Sequence, residues 1–144
     1  MQHNKVFSAA IALCVIAFFT VGPVDSASAA TQVPVTITAV FNFSTFPNVT
    51  GTFTTTGGLT ISGDATMHVE LNPFNGIRAH CVVTLMPSTG GSIIIDQQCQ
   101  FATSPPKGRW EIVGGTGAYA DLNGNGSLTM PPNTEAMTGV LYVH

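Results

Sequence analysis

The sequence predicts one all-β domain, a sandwich or a closed barrel of antiparallel strands, placed behind a cleaved export signal. Three observations carry this prediction. Apolar residues alternate with polar ones over most of the chain after residue 30, turn-forming glycines and asparagines recur at short intervals, and no window of eleven or more residues keeps a helical apolar stripe. The 144 residues suit one compact domain better than two. Only 8% are Asp, Glu, Lys or Arg, while 44% are hydrophobic, against about a quarter charged in an average soluble protein. The formal charge of -3 comes without a block of either sign. Nucleic acid, whose phosphates demand clustered cations, is therefore excluded as a partner, as is a polybasic mode of membrane binding. Intrinsic disorder is excluded by the hydrophobic content.

The first thirty residues read as a cleaved secretory signal. Lys5 supplies the positive start, Val6 to Val21 is almost wholly apolar, Gly22 and Pro23 break that run, and Ala27-Ser28-Ala29-Ala30 offers small residues for cleavage after Ala29 or Ala30. The apolar run is short for a spanning helix and ends in helix breakers, so no stable membrane anchor is expected after cleavage. Lipid attachment at Cys14 is disfavoured by the bulky Leu13 before it and by its place in mid-run. The expected location is periplasmic or extracellular. Removal of Lys5 and Asp25 leaves three basic and six acidic residues, so the charge stays at -3. The domain expected is residues 31–144.

Within it, Val33, Val35, Ile37, Ala39, Phe41 and Phe43 alternate with Pro34, Thr36, Thr38, Val40 and Asn42. A period of two marks a strand with one buried face. The pattern returns in Met67, Val69 and Leu71, in Ile77, Ala79, Cys81, Val83 and Leu85, and in Met137, Gly139, Leu141 and Val143. Eighteen threonines after residue 30 add β-favouring side chains. Gly57-Gly58, Ser62-Gly63-Asp64, Asn75-Gly76, Gly90-Gly91 and Asn123-Gly124-Asn125-Gly126 punctuate the strands.

Export removes Cys14 and leaves Cys81 and Cys99, an even pair that reads as a disulfide. Free thiols or metal ligands are the alternative, but no Cys-x-x-Cys spacing is present. A turn centred on Gly90 sets Cys81 opposite Cys99, on one face with Ile77, Val83, Leu85, Ile93, Ile95 and Phe101. Such a bridge contributes about 3 kcal/mol in the chain-entropy model. A turn centred on Phe74 sets Glu70 opposite Arg78 and His68 opposite His80.

The opposite face then carries His68, Glu70, Arg78, His80, Asp96 and Gln98. Two histidines and a carboxylate have the chemistry to bind a metal or move protons. The simpler account is a solvated outer wall with a surface ion pair, because a closed sheet has a wet side. His68-x-Glu70 lacks the Pro-Cys-x-x-Cys partner of a zinc deaminase, so no metal site is assigned.

The most specific segment is Gly108-Arg109-Trp110-Glu111-Ile112-Val113 followed by Gly114-Gly115-Thr116-Gly117-Ala118-Tyr119-Ala120-Asp121-Leu122. It has no Lys-Ser or Lys-Thr and no helix, so a phosphate cradle does not fit. A tight bend with positive φ at some glycines does, with Trp110 and Ile112 inward and Tyr119 over the bend. A strand ending in Val-Gly-Gly-Thr-Gly, then an aromatic and a small residue, resembles the allene oxide cyclase and dirigent families. The bacterial exported proteins described as allene-oxide-cyclase barrel-like are the nearest in pattern. Gly57-Gly58-Leu59-Thr60-Ile61-Ser62-Gly63 stands where those proteins carry a related glycine-rich stretch. The sharp part of the similarity is Val113 to Leu122. The resemblance implies a single antiparallel eight-stranded barrel of the calycin type and, for the plant relatives, a trimer. A barrel of eight strands is filled by side chains or holds one small ligand.

The resemblance carries fold more securely than chemistry. Three readings follow: a secreted barrel that binds a small apolar molecule or is otherwise non-catalytic, a cyclase or stereochemistry-directing protein that confines a substrate, and a filled barrel that acts as an interaction module. Candidate ligand-binding residues are Trp110, Tyr119, Phe41 and Phe53. Candidate catalytic groups are Tyr119, Trp110, Arg109 and Glu111 beside the glycine bend, and Glu70 and Arg78 if the parity of their strands is the reverse of that read above. Glu70 is read as the only glutamate at mid-barrel, pointing outward. No nucleophile elbow or His-Glu-x-x-His motif is present, and no cofactor is called for. Asn42, Asn48 and Asn125 begin glycosylation sequons.

Overall fold

The computed structural model describes residues 29–143. All but the last two residues of the segment read as an export signal lie outside that range. Eight strands follow one another: β1 (Thr31–Asn42), β2 (Asn48–Gly57), β3 (Ser62–Leu71), β4 (Arg78–Pro87), β5 (Ser92–Gln100), β6 (Lys107–Thr116), β7 (Asn123–Thr129) and β8 (Thr134–Val143). Each pairs antiparallel with its neighbour in sequence, and β1 pairs with β8 from Thr31↔Val143 to Val40↔Thr134, closing the barrel. Closure leaves no free sheet edge. The all-β, eight-stranded antiparallel barrel is thus the observed fold. Two short 3-10 turns, Phe43–Thr45 and Gly117–Tyr119, are the only helical pieces among the described residues.

The alternating residues do what their period requires. Val35, Ile37, Ala39 and Phe41 of β1, Met67 and Val69 of β3, Cys81, Val83 and Leu85 of β4, and Met137 and Leu141 of β8 point inward and are buried. Phe53, Trp110, Ile93, Ile95 and Leu128 complete a packed interior. Each fully buried aliphatic or aromatic side chain of this kind stabilises by about 1.5–3 kcal/mol. Trp110 has room because it faces a glycine: a Cβ on Gly139 would lie 2.7 Å from the indole ring. The indole Nε1 donates to Ser127 O at 3.0 Å and lies 3.3 Å from Thr138 O.

The glycine-rich segment differs in detail from the tight bend expected. Gly114 and Gly115 remain in β6, and the register shifts between Ile94, opposite Gly114, and Ile95, opposite Ile112. Val113 is the extra residue of a β-bulge and turns outward, 59% exposed. Of the glycines in Gly114–Gly117, only Gly117 has positive φ, at 62°. Tyr119 does cover the turn that follows. It is buried, and its hydroxyl meets Thr89 Oγ1 at 3.3 Å.

Two hairpin registers depart from expectation, each by one residue in its turn centre and in opposite directions. In the β3–β4 loop, Asn72 N donates to Arg78 O and Gly76 N donates to Asn72 O, with Gly76 at φ 60°. The loop therefore centres on Asn75, and Glu70 faces His80 rather than Arg78, while His68 faces Val82 rather than His80. In the β4–β5 loop, Gly90 and Gly91 both take positive φ and Gly90 N donates to Pro87 O. That loop centres on Thr89, so Cys81 faces Gln97 and Cys99 faces Ala79. The two cysteines are diagonal neighbours, both buried free thiols, with Sγ atoms 3.7 Å apart. Moving a turn centre by one residue shifts pairing by two, so every side chain keeps its face. Ile77 and Phe101, expected in the same buried row, lie where the strands end and are exposed.

Candidate functional site: the barrel mouth and the polar line beneath it

Four connections gather at one end of the barrel: residues 43–47, 72–77, 101–106 and 130–133. They contain six prolines, Pro47, Pro73, Pro105, Pro106, Pro131 and Pro132, and no charged residue. Proline fixes φ and removes a donor, which makes such loops stiff and lowers their demand for hydrogen bonds. They surround an apolar cavity of about 490 Å³ whose walls include Phe43, Phe46, Met67, Val69, Phe101 and Met130. Among the residues of its wall, only Cys81 and Asn133 carry side chains with a polar atom or thiol. Asn133 holds a left-handed conformation, φ 56°, and its carbonyl accepts from Phe41 N at 3.1 Å, which ties the β7–β8 loop to β1.

Cys81 is the near end of a polar line that runs through the interior. Its Sγ meets Cys99 Sγ, and Cys99 Sγ approaches Gln97 Oε1 at 4.0 Å. Gln97 Nε2 donates to Glu135 Oε1 at 2.5 Å and lies 3.3 Å from Met137 Sδ. Glu135 is 1% exposed, and its Oε2 has no hydrogen-bond partner. Burial pushes its carboxyl up to about 7, although the Gln97 amide opposes the shift. The group thus holds its proton across most of the acidic range and changes state near neutrality. The Cys99 thiol is pushed up by its contact with Cys81 and by burial, so in the reduced protein it is not ionised.

Sequence reasoning misses Glu135 and Gln97, yet the signal is present. Glu135 falls on the inward parity of Met137 and Leu141, and Gln97 falls on that of Ile93, Ile95 and Cys99. The reading of Glu70 as the only mid-barrel glutamate is corrected accordingly. Phe46 and Phe74 escape the same reasoning, because a strand period says nothing of loop residues. Phe43 and Phe101, read as members of inward strand rows, lie just past the ends of β1 and β5 and are exposed at the mouth.

The residues that sequence reasoning does single out are dispersed. Glu70 and Arg78 are exposed on the outer wall, and Tyr119 closes the end of the barrel opposite the mouth. Trp110, Phe41 and Phe53 are packed core, and none of the three borders the mouth cavity. Arg109 and Glu111 are exposed. The structure does join the outer-wall histidines. His80 Nε2 donates to Asp96 Oδ2 at 2.5 Å, Glu70 stands 3.6 Å from His80 and 3.7 Å from His68, and His68 Nδ1 meets Asn48 Oδ1 at 2.6 Å. The hydrogen bond to Asp96 holds the His80 pKa above its usual value. Among the described residues no group of three His, Cys, Asp or Glu is placed to hold a metal ion.

No family model matches the chain, and neither does any curated protein. Among solved structures it is similar to a pterocarpan synthase dirigent protein, GePTS1, with a TM-score of 0.56 over 97% of this chain and 99% of that one. The two sequences are 13% identical. At that identity the likeness is one of fold, an eight-stranded dirigent-type barrel, and does not extend to residues or chemistry.

Proposed function

We propose that this protein is an exported barrel that binds a small apolar molecule at its proline- and phenylalanine-lined mouth. One observation carries the reading: the mouth cavity of about 490 Å³, which falls within the range of small-molecule sites. The interior below is filled by Trp110, Phe53, Leu85 and their neighbours, so the molecule sits at the mouth rather than along the barrel axis. An apolar wall with few polar groups favours shape and area over hydrogen bonding in selecting it. The sequence before residue 31 supplies the argument for export.

A second reading, that the barrel directs the outcome of a reaction by confining the reactant, draws support from Glu135. A carboxyl that changes protonation near neutrality, one short polar line away from the cavity wall, suits proton handling. The dirigent neighbour is a precedent for the barrel alone.

A neutral environment-sensitive dye such as N-phenyl-1-naphthylamine tests the first reading. Its fluorescence should rise on titration with the protein, and Phe46→Ser together with Met130→Ser should weaken its binding about tenfold or more, from the lost apolar contact. Binding unaffected by these substitutions would place the dye elsewhere and remove the mouth as the site. Native mass spectrometry of protein from its own host would report a retained molecule and the copy number together.

A further inference from the structure

The two ends of the barrel differ in a way the cavity alone does not require. Every exposed phenylalanine among the described residues, Phe43, Phe46, Phe74 and Phe101, lies at the mouth, and Leu71 and Ile77 beside them are exposed as well. Phe74 stands 93% exposed at the tip of the β3–β4 loop and takes no part in the cavity wall. The opposite end, formed by residues 58–61, 88–91 and 117–122, has one aromatic side chain, the buried Tyr119, and one charge, Asp121.

The cations are equally lopsided. The three Lys and Arg residues after residue 30 are Arg78, Lys107 and Arg109, all exposed, and they border one shallow groove on the outer wall together with Gln98 and Gln100. Arg78 and Lys107 open β4 and β6, directly below the mouth loops, and both face Gln100 in a single cross-strand row. Arg109 faces Gln98 one row further down. The ion pairs among the described residues all involve His68 or His80, so these three cations have no carboxylate partner within 4.0 Å. The one exposed acid at this end, Glu70, is engaged by the two histidines, and Glu135, the second residue of β8, is buried inside the barrel.

An uncharged rim of projecting aromatics with unpaired cations just behind it has the layering of a lipid–water interface. Phenylalanines suit the acyl boundary, and arginine and lysine suit the phosphates above it. Three cations are too few to hold a membrane by charge alone, and a single hairpin-tip phenylalanine is too little by area. Together they supply the two signals that reversible surface binding needs. We infer that the mouth of this barrel docks on an anionic lipid bilayer, with Phe74 inserted and Arg78 and Lys107 at the headgroups. The cavity then opens onto the membrane, and an apolar ligand can pass between the two without crossing water.

Co-sedimentation with vesicles of phosphatidylcholine alone, or with phosphatidylglycerol added, tests this. The purified protein should pellet with the anionic vesicles and much less with the neutral ones. Arg78→Gln and Lys107→Gln should each lower partitioning about fivefold, and Phe74→Ser should lower it about tenfold or more. None of these three residues borders the cavity, so dye binding in vesicle-free buffer and the melting temperature should stay unchanged. Loss of dye binding with intact vesicle binding would sink the ligand reading and leave this one standing. Absence of vesicle binding, equal binding to neutral and anionic vesicles, or indifference to Phe74→Ser would overturn the docking proposal. So would a concentration-dependent dimer abolished by Phe74→Ser, since a second copy would then cover the rim.

Discussion

Gln97 and Glu135, 38 residues apart in the chain, meet inside the barrel, where the Gln97 amide donates to the Glu135 carboxyl at 2.5 Å. Both are essentially inaccessible to solvent, and they belong to β5 and β8, which are not neighbours in the sheet. The contact therefore crosses the barrel lumen rather than running along its wall. A buried carboxyl with one oxygen unpartnered is costly to ionise, because the protein interior replaces the water that would solvate the charge.

That cost sets a pH dependence of stability. The Glu135 value rises from 4.5 unfolded to about 7 folded. With the folded value raised, its contribution is complete below the unfolded value and is lost as pH climbs through the folded one. Stability from this group should fall between about pH 4.5 and 7 and stay flat above, by about 3 kcal/mol at about 1.4 kcal/mol per pKa unit. Glu135→Gln should flatten that profile and be more stable than the parent at pH 8. Urea melts of both proteins at pH 4.5 and pH 8 check it; an unchanged difference between the two pH values would mean that Glu135 does not titrate as argued.

Cys81 and Cys99 give a redox expectation. Their Sγ atoms lie 3.7 Å apart in the thiol form, and an exported chain meets oxidising conditions. On the proposed export, protein recovered from outside the cytosol should be 2 Da lighter than its reduced form, and reduction should cost about 3 kcal/mol of stability. Intact-mass measurement with and without reductant decides it. Two alkylatable thiols in the unreduced, unfolded protein would show that the pair remains open.

How much of this is legible in the sequence depends on which physical signal each feature leaves. The facing of Cys81, Val83 and Leu85 inward, and of Glu70 and Arg78 outward, follows from a period of two and survives any even slip of register. The partners of Glu70 and Cys81 are not legible, because they depend on where a turn centres. Asn75-Gly76 and the two left-handed glycines, Gly90 and Gly91, move those centres by one residue each. Val113 is invisible as a bulge, since nothing but the opposing Ile94 and Ile95 reveals the extra residue. Glu135 is legible by parity but hidden by its charge, which argues for the surface in any residue-by-residue reading. The mouth requires knowing which loops share an end, and that follows only once the strand order is known.

The outer wall offers a titration with a stated order of effects. Asp96 is the larger cause of the raised His80 value and Glu70 the smaller, with partial burial acting the other way. Asp96→Asn should therefore move the His80 midpoint down towards 6.5 further than Glu70→Gln does. Because the folded value is raised, any stabilisation from these contacts is present below 6.5 and fades as pH rises through the folded midpoint. NMR titration of the His80 ring follows each variant directly. A larger shift for Glu70→Gln would show that Glu70, and not the hydrogen bond to Asp96, chiefly keeps the His80 ring protonated.

Gly139 and Gly114 should respond in opposite ways to a single methyl group. A Cβ at Gly139 would fall 2.0 Å from Asn125 O and 2.7 Å from the Trp110 ring, so neighbouring backbone and a buried indole would both have to move. At Gly114 the nearest atom is Ile94 Cδ1 at 3.8 Å, an ordinary contact, and no positive φ stands in the way. Gly139→Ala should therefore cost about 2 kcal/mol or more through overpacking. Gly114→Ala should be neutral or stabilise by a few tenths of a kcal/mol, because it restricts the unfolded chain. Trp110 emission gives a second readout, since displacing the indole weakens its bond to Ser127 O and shifts the spectrum in the Gly139 variant alone. Equal melting temperatures and identical spectra for the two variants would show that Trp110 does not occupy the space opposite Gly139.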